Sequence, residues 1–137
     1  MSKIQEFLKN QEKSVMNTVE GKTIIDYFNN NAEEVPEYPA LNTPINSEYT
    51  GWDSVSWSAY RETVHNLASG LIDIGLQLED NAFIVANNVK EHFICDLGIM
   101  HAGAVPSTIY KQLKSGQIEY ISNLLEAKVA FVGDAEL

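Results

Sequence analysis

Cysteine is nearly absent from this sequence. Cys95 stands alone in 137 residues, so the chain can form no internal disulfide and has no cysteine spacing of the metal-ligand type. That usage suits a reducing compartment. Basic residues are also scarce: nine Lys and Arg stand against nineteen Asp and Glu, a formal net charge of −10. Such a balance argues against a nucleic-acid partner, whose phosphates it would repel, and against simple electrostatic docking on anionic lipid. No stretch nears the ~18 apolar residues of a membrane-spanning helix. The N-terminal segment has no apolar run longer than Phe7-Leu8, far short of a secretory core. Internal repeats and low-complexity tracts are missing. The reading that remains is an acidic cytoplasmic protein.

What is present is ordinary globular composition, 45% apolar and 20% charged. A chain of this size makes one domain and buries roughly 68–70% of the surface its unfolded form exposes. Residues 1–22 read as an amphipathic extension, with Ile4, Phe7, Leu8, Val15, Met16 and Val19 at helical spacing. Either this helix docks on a partner or makes peripheral contact with a membrane, or it covers the protein's own body or frays; the second pair weighs more at a terminus.

The main unit covers residues 23–137. Thr23 and Asp26 match a capping box, followed by Ile24, Phe28 and Ala32 on one helical face and by Pro36 and Pro39 as stops. Residues 40–57 predict a hairpin, with strands at Leu41–Ile45 and Ser54–Trp57 around the turn residues Asn46-Ser47-Glu48. Ser58 is the expected N-cap of a helix carrying Tyr60, Val64, Leu67, Ala68, Leu71 and Ile72, closed at Gly75. The unbroken run Ala82–Ala86 predicts a strand buried on both faces. Asn88, with Glu91, is expected to cap the next helix, which ends at Gly103. Val105–Ile109 is the second strand of this type. Ser115 is the expected cap of a helix with the face Ile118, Ile121 and Leu125, and Val129–Val132 is the third strand, closed by Gly133-Asp134. The fold class is therefore α/β: an N-terminal hairpin and helices, then a βαβαβ unit with a parallel sheet.

This order resembles the beginning of the AMP-forming acyl-CoA synthetase superfamily, and within it the long-chain fatty-acid–CoA ligases. The matching pieces run from "TIIDYFNNNAEEVPEYPAL" through "GWDSVSWSAYRETVHNLASGLIDIGL" and "NAFIVANNVKEHFICDLGIMHAGAVPSTIY" to "SGQIEYISNLLEAKVAFVGD". "AGAVPSTIY" is the most specific, and Ile109-Tyr110 in it points to the long-chain branch. Two departures stand out. Glu79-Asp80-Asn81 replaces the family's usual Gly-Asp-Arg, so an arginine contact is lost or relocated, and Gly116 occupies an early helical position usually given to a better helix former. The resemblance implies an ATP-dependent enzyme that activates a carboxylate as an acyl adenylate and transfers it to coenzyme A, with Mg²⁺ assisting. It also implies that the phosphate-binding loop, the adenine and ribose sites and the mobile lid lie beyond this segment. The chain then reads as an incomplete piece of a larger doubly wound domain, inactive alone and binding neither ATP, Mg²⁺ nor coenzyme A by itself. Its partner is the remainder of the ligase chain, with a fatty acid as substrate of the whole. The alternative is a non-catalytic α/β module that binds, or complements a separately encoded adenylating portion.

No residue set here can do the chemistry alone, so no catalytic and no metal-ligating residue is assigned. Cys95 sits mid-helix beside Asp96, where nothing lowers its pKa. His65, His92 and His101 lack metal spacing. One set remains on topological grounds. Ligands of open α/β sheets bind beyond the carboxyl ends of the strands, where strand order reverses. Asn87, Asn88, Ser107 and Thr108, with Gly133 and Asp134, would stand there, either as contacts to substrate or to a neighbouring subdomain, or as ordinary caps and turns.

Overall fold

The computed structural model describes residues 2–133; Asp134, expected to close the third strand with Gly133, lies outside them. Ten elements follow one another: α1 (Lys3–Val19), α2 (Ile24–Glu34), β1 (Pro39–Pro44), β2 (Trp52–Ser56), α3 (Trp57–Asp73), β3 (Asn81–Val85), α4 (Lys90–His101), β4 (Val105–Thr108), α5 (Ser115–Leu125) and β5 (Val129–Val132). The architecture is the α/β arrangement expected.

Three of the four expected helix caps differ from those observed. Thr23 does cap α2: its hydroxyl accepts from the Asp26 amide at 3.3 Å, and the Asp26 carboxylate accepts from the Thr23 amide at 2.6 Å. The bond from the Thr23 amide, then one its hydroxyl donates to the carboxylate at 2.8 Å, hold the Asp26 carboxyl below its ordinary value. Ile24, however, is exposed, because the packed face of α2 runs through Phe28 and Ala32 only. Ser56 rather than Ser58 caps α3, its Oγ accepting from the Ala59 amide at 3.3 Å, so Trp57 begins the helix instead of ending the strand. Val89 rather than Asn88 is the boundary residue of α4 and offers no side-chain cap. Lys114 rather than Ser115 bounds α5, and its amide donates to Gln117 Oε1 at 3.1 Å. At the other ends the glycine reading holds: Gly75 and Gly103 have φ of +97° and +80°, the left-handed conformation that closes a helix cheaply only without a Cβ.

β1 and β2 form a separate antiparallel hairpin whose turn is held by Asn46, the Oδ1 of which accepts from the amides of Glu48 and Thr50. The other sheet is parallel, in the order β4-β3-β5. β3 therefore has a neighbour on each side, and Ala82, Ile84 and Val85 are buried as the unbroken apolar run predicts. Leu71 of α3, Ile99 of α4, Leu76, Ala104, Ala82 and Ile84 form the main core on one face of the sheet. Phe28, Tyr60 and Val64 form a second cluster under the hairpin. The Tyr60 phenol is pushed up to about 12 by burial and then by the Asp96 carboxylate. On the other face α5 stands off from Phe83 and Val85, leaving a recess of about 590 Å³.

Close approach of α3 and α4 depends on Gly98. A Cβ there would meet Leu67 Cδ2 at 2.6 Å and Cγ at 2.9 Å. The departures at residues 79–81 also find their structural terms. Glu79 holds a φ of +67°, a conformation the usual glycine adopts without strain. The Asn81 side-chain amide donates to the Leu125 carbonyl at 2.8 Å and so satisfies an orphan group at the end of α5.

α1 bonds to the rest through Tyr27, whose hydroxyl donates to the Thr18 carbonyl at 2.6 Å. Its Ile4, Phe7, Leu8, Val15 and Met16 are exposed, so its apolar face lies uncovered by the described residues. No helix among the described residues is long and apolar enough to cross a membrane.

Two glycines on helices should respond oppositely to alanine. At Gly116 an added Cβ meets nothing within 4 Å, so Gly116→Ala should raise unfolding stability by about 0.8–1.0 kcal/mol. Gly98→Ala should lower it by about 1–3 kcal/mol, because Leu67 must move or the helices part. Urea unfolding followed by circular dichroism measures both.

Candidate functional site

The carboxyl ends of β3 and β4 are tied together by an imidazole. His92 lies in the first turn of α4, just after the loop that leaves β3. Its Nδ1 is 3.3 Å from the Asn87 carbonyl oxygen and its Nε2 is 3.0 Å from Thr108 Oγ1. A carbonyl can only accept, so Nδ1 carries the proton and donates to it. Nε2 then accepts from the Thr108 hydroxyl. The ring thus fixes the spacing between two strand ends.

Two recesses meet at this clamp. One, of about 310 Å³, is lined by Ile84, Ala86, Asn87, His92, Cys95 and Phe131 among others, and reaches Gly133 at the end of β5. The other, of about 360 Å³, is lined by Asn87, Asn88, His92, Thr108, Tyr110 and Lys111 among others. Both lie where β4 and β5 diverge from β3, which is the place an open parallel sheet offers a ligand. Their walls are mostly apolar, with a few polar groups converging, as small-molecule sites are built. Gly133 sits tight against the first recess: a Cβ there would stand 2.9 Å from Ala86 Cβ.

Of the residues expected at the site, Asn87, Asn88 and Thr108 come together around His92. Ser107 does not join them. It pairs with Phe83, while Thr108 pairs with Ile84, and successive strand residues face opposite sides of a sheet. Ser107 therefore lies on the α5 face. His92 was missed as a site residue because it has no metal-type spacing. The usable signal was topological, since the first turn of a helix following a parallel strand stands beside that strand's carboxyl end.

The electrostatics here favour an apolar or carbon-rich ligand over a triphosphate. The Cys95 thiol is pushed up by burial, then by Glu91 and Asp96, so it is a packing group and not a nucleophile. Lys90 is ion-paired to Asp53 of β2, and that hydrogen bond raises its pKa. Of lysine and arginine, Lys111 alone lines these two recesses. Among the described residues no group of three or more His, Cys, Asp and Glu could hold a metal ion. Toward a phosphate chain the residues lining the two recesses offer Lys111 alone as a lysine or arginine.

Comparison with known proteins follows the same lines. A family model described as AMP-binding enzyme matches residues 28–137. The long-chain-fatty-acid–CoA ligase heimdall of Drosophila melanogaster is 29% identical over 128 residues, which is 92% of this chain and 19% of that protein. The vibriobactin-specific 2,3-dihydroxybenzoate-AMP ligase of Vibrio cholerae is 27% identical over 117 residues, 84% of this chain and 20% of that one. The chain thus spans about a fifth of the length of these two relatives. Among solved structures, the N-terminal subdomain of Klebsiella oxytoca NpsA superposes with a TM-score of 0.70 at 20% identity, covering 82% of this chain and 28% of that one. That likeness establishes the fold.

The thiol provides a check on the first recess. With its pKa raised above the ordinary 9.0, Cys95 should alkylate with iodoacetamide more slowly than a free cysteine peptide at pH 7.5. The rate should climb only as the pH passes that ordinary value. Equal rates at pH 7.5 would contradict the half-buried, acid-flanked setting.

Proposed function

The chain belongs to the AMP-binding enzyme family, and on that premise we propose that it is the N-terminal part of an ATP-dependent, AMP-forming long-chain fatty-acid–CoA ligase. The observation that carries the family is the match over residues 28–137. The long-chain assignment is supported by the likeness to a long-chain-fatty-acid–CoA ligase over 92% of the chain and by Ile109-Tyr110 in the recess wall. Coenzyme A and Mg²⁺ come with that reading. The relative from Vibrio cholerae is an aryl-acid AMP ligase, so acid class is the point an experiment must decide.

In this reading the described residues bind and position. The polar ends of β3 and β4, namely Asn87, Asn88 and Thr108 set by His92, contact the substrate or the subdomain that follows. The apolar walls exclude water from the acid's carbon chain, which strengthens every polar contact made nearby. Ser107, paired with Phe83 on the opposite face, contacts a neighbouring subdomain there. Among the described residues β4 and β5 each have an open outer edge, with Val105 and Val132 exposed. An open apolar edge is a template for further pairing. The same edges would be met in a second arrangement, in which the chain complements a separately encoded adenylating portion.

ATP–pyrophosphate exchange tests the reading. The 137-residue chain alone should give no acid-dependent exchange. The polypeptide that joins it to a phosphate-binding portion should exchange with palmitate and not with 2,3-dihydroxybenzoate. Exchange with the aryl acid alone would move the protein out of the fatty-acid branch. Absence of exchange in the joined polypeptide, restored by a separately encoded partner, would replace catalysis in cis with complementation.

A further inference from the structure

α3 and α4 bring two histidines together on the side of the molecule away from the clamp at His92. The ring centroids of His65 and His101 are 5.2 Å apart, with the planes tilted by 52°. His101 Nδ1 is 2.8 Å from the Leu97 carbonyl oxygen. That carbonyl requires a proton on Nδ1, which leaves the lone pair on Nε2. Nε2 itself is buried and has no hydrogen-bond partner. The Phe28 ring stands edge-on to His101 at 5.4 Å and holds it in place.

These are the conditions of a metal-ligating imidazole. Such a ring typically donates its second nitrogen to a backbone carbonyl, which fixes the tautomer and aims the other nitrogen. A tetrahedral cation with metal–nitrogen bonds of about 2.0–2.1 Å holds two imidazole centroids roughly 5 Å apart. We propose that His65 and His101 together form a binding site for a divalent transition-metal cation of the zinc, copper and nickel class, with water in the remaining positions.

Several features agree with it. An unpartnered buried acceptor is costly where it stands, and a cation relieves that cost. His65 is exposed, which gives an entry path. Arg61 is the opposing charge, and Glu33 offsets it with Oε1 at 3.7 Å. Imidazole nitrogen selects this class of cation over magnesium or calcium, which prefer oxygen. The site is separate from the cleft at the strand ends, and its occupation would brace α3 against α4.

Calorimetric titration of the full-length protein with ZnCl₂ tests this without reference to activity. One cation per chain should bind at this site, and His65→Ala and His101→Gln should each weaken it at least about tenfold. Because His101 packs against Phe28, its replacement can loosen the junction; the exposed His65 is the deciding variant, checked by an unchanged circular dichroism spectrum. Absence of zinc binding in the wild type, an affinity unchanged in His65→Ala, or a loss confined to His92→Ala would each overturn the site.

Discussion

The rest of the structure depends on the contact of α4 with α3 on one side and with β3 on the other. Gly98 and Ile99 make it possible together. Gly98 removes the one Cβ that would collide with Leu67, and Ile99, fully buried, fills the space between helix and sheet. Because interiors are packed at crystal-like density, the separation of these elements is fixed within narrow limits. His92, nearly two turns before Gly98 on the same helix, inherits that placement. The strand ends that His92 joins are therefore located by a helix packed some distance behind them.

The position of the cleft follows from strand order. β3 takes β4 on one side and β5 on the other, so the loops leaving β3 and β4 diverge and leave a crevice between them. Ligand sites in open parallel sheets lie at such points because the chain there is free of packing duties and the first turns of helices converge on it. The local charge sorts the possible tasks. With Lys90 bound to Asp53 and acids flanking Cys95, this end of the sheet suits the carbon skeleton of a substrate or a neighbouring subdomain better than a string of phosphates.

Much of the fold was legible in the chain. The apolar run at residues 82–86, the glycines after α3 and α4, and the Thr23–Asp26 box each act over a few residues, and each was found where expected. The caps at Ser58, Asn88 and Ser115 were not, because several residues able to cap stand near each boundary and packing of the helix body selects the register. Ile24 has the right spacing for the core face but sits in the first turn of α2, outside the reach of α3. That Asn87, Asn88 and Thr108 lie together at the strand ends could be read from topology. Ser107 could not be separated from Thr108 without the register of β4 against β3, since a single residue changes the face.

By itself the sequence determined the α/β class, the order of the strands in the chain and the absence of an internal cysteine pair, because these rest on periodicity, turn chemistry and composition; the family came from the likeness of whole stretches such as "AGAVPSTIY". Only the tertiary structure decided which histidine serves which place. His92 meets Thr108, and His65 meets His101, across gaps in sequence that no local pattern spans. Such pairings arise from helix-on-helix and helix-on-sheet packing, whose distances depend on every side chain in the interface at once.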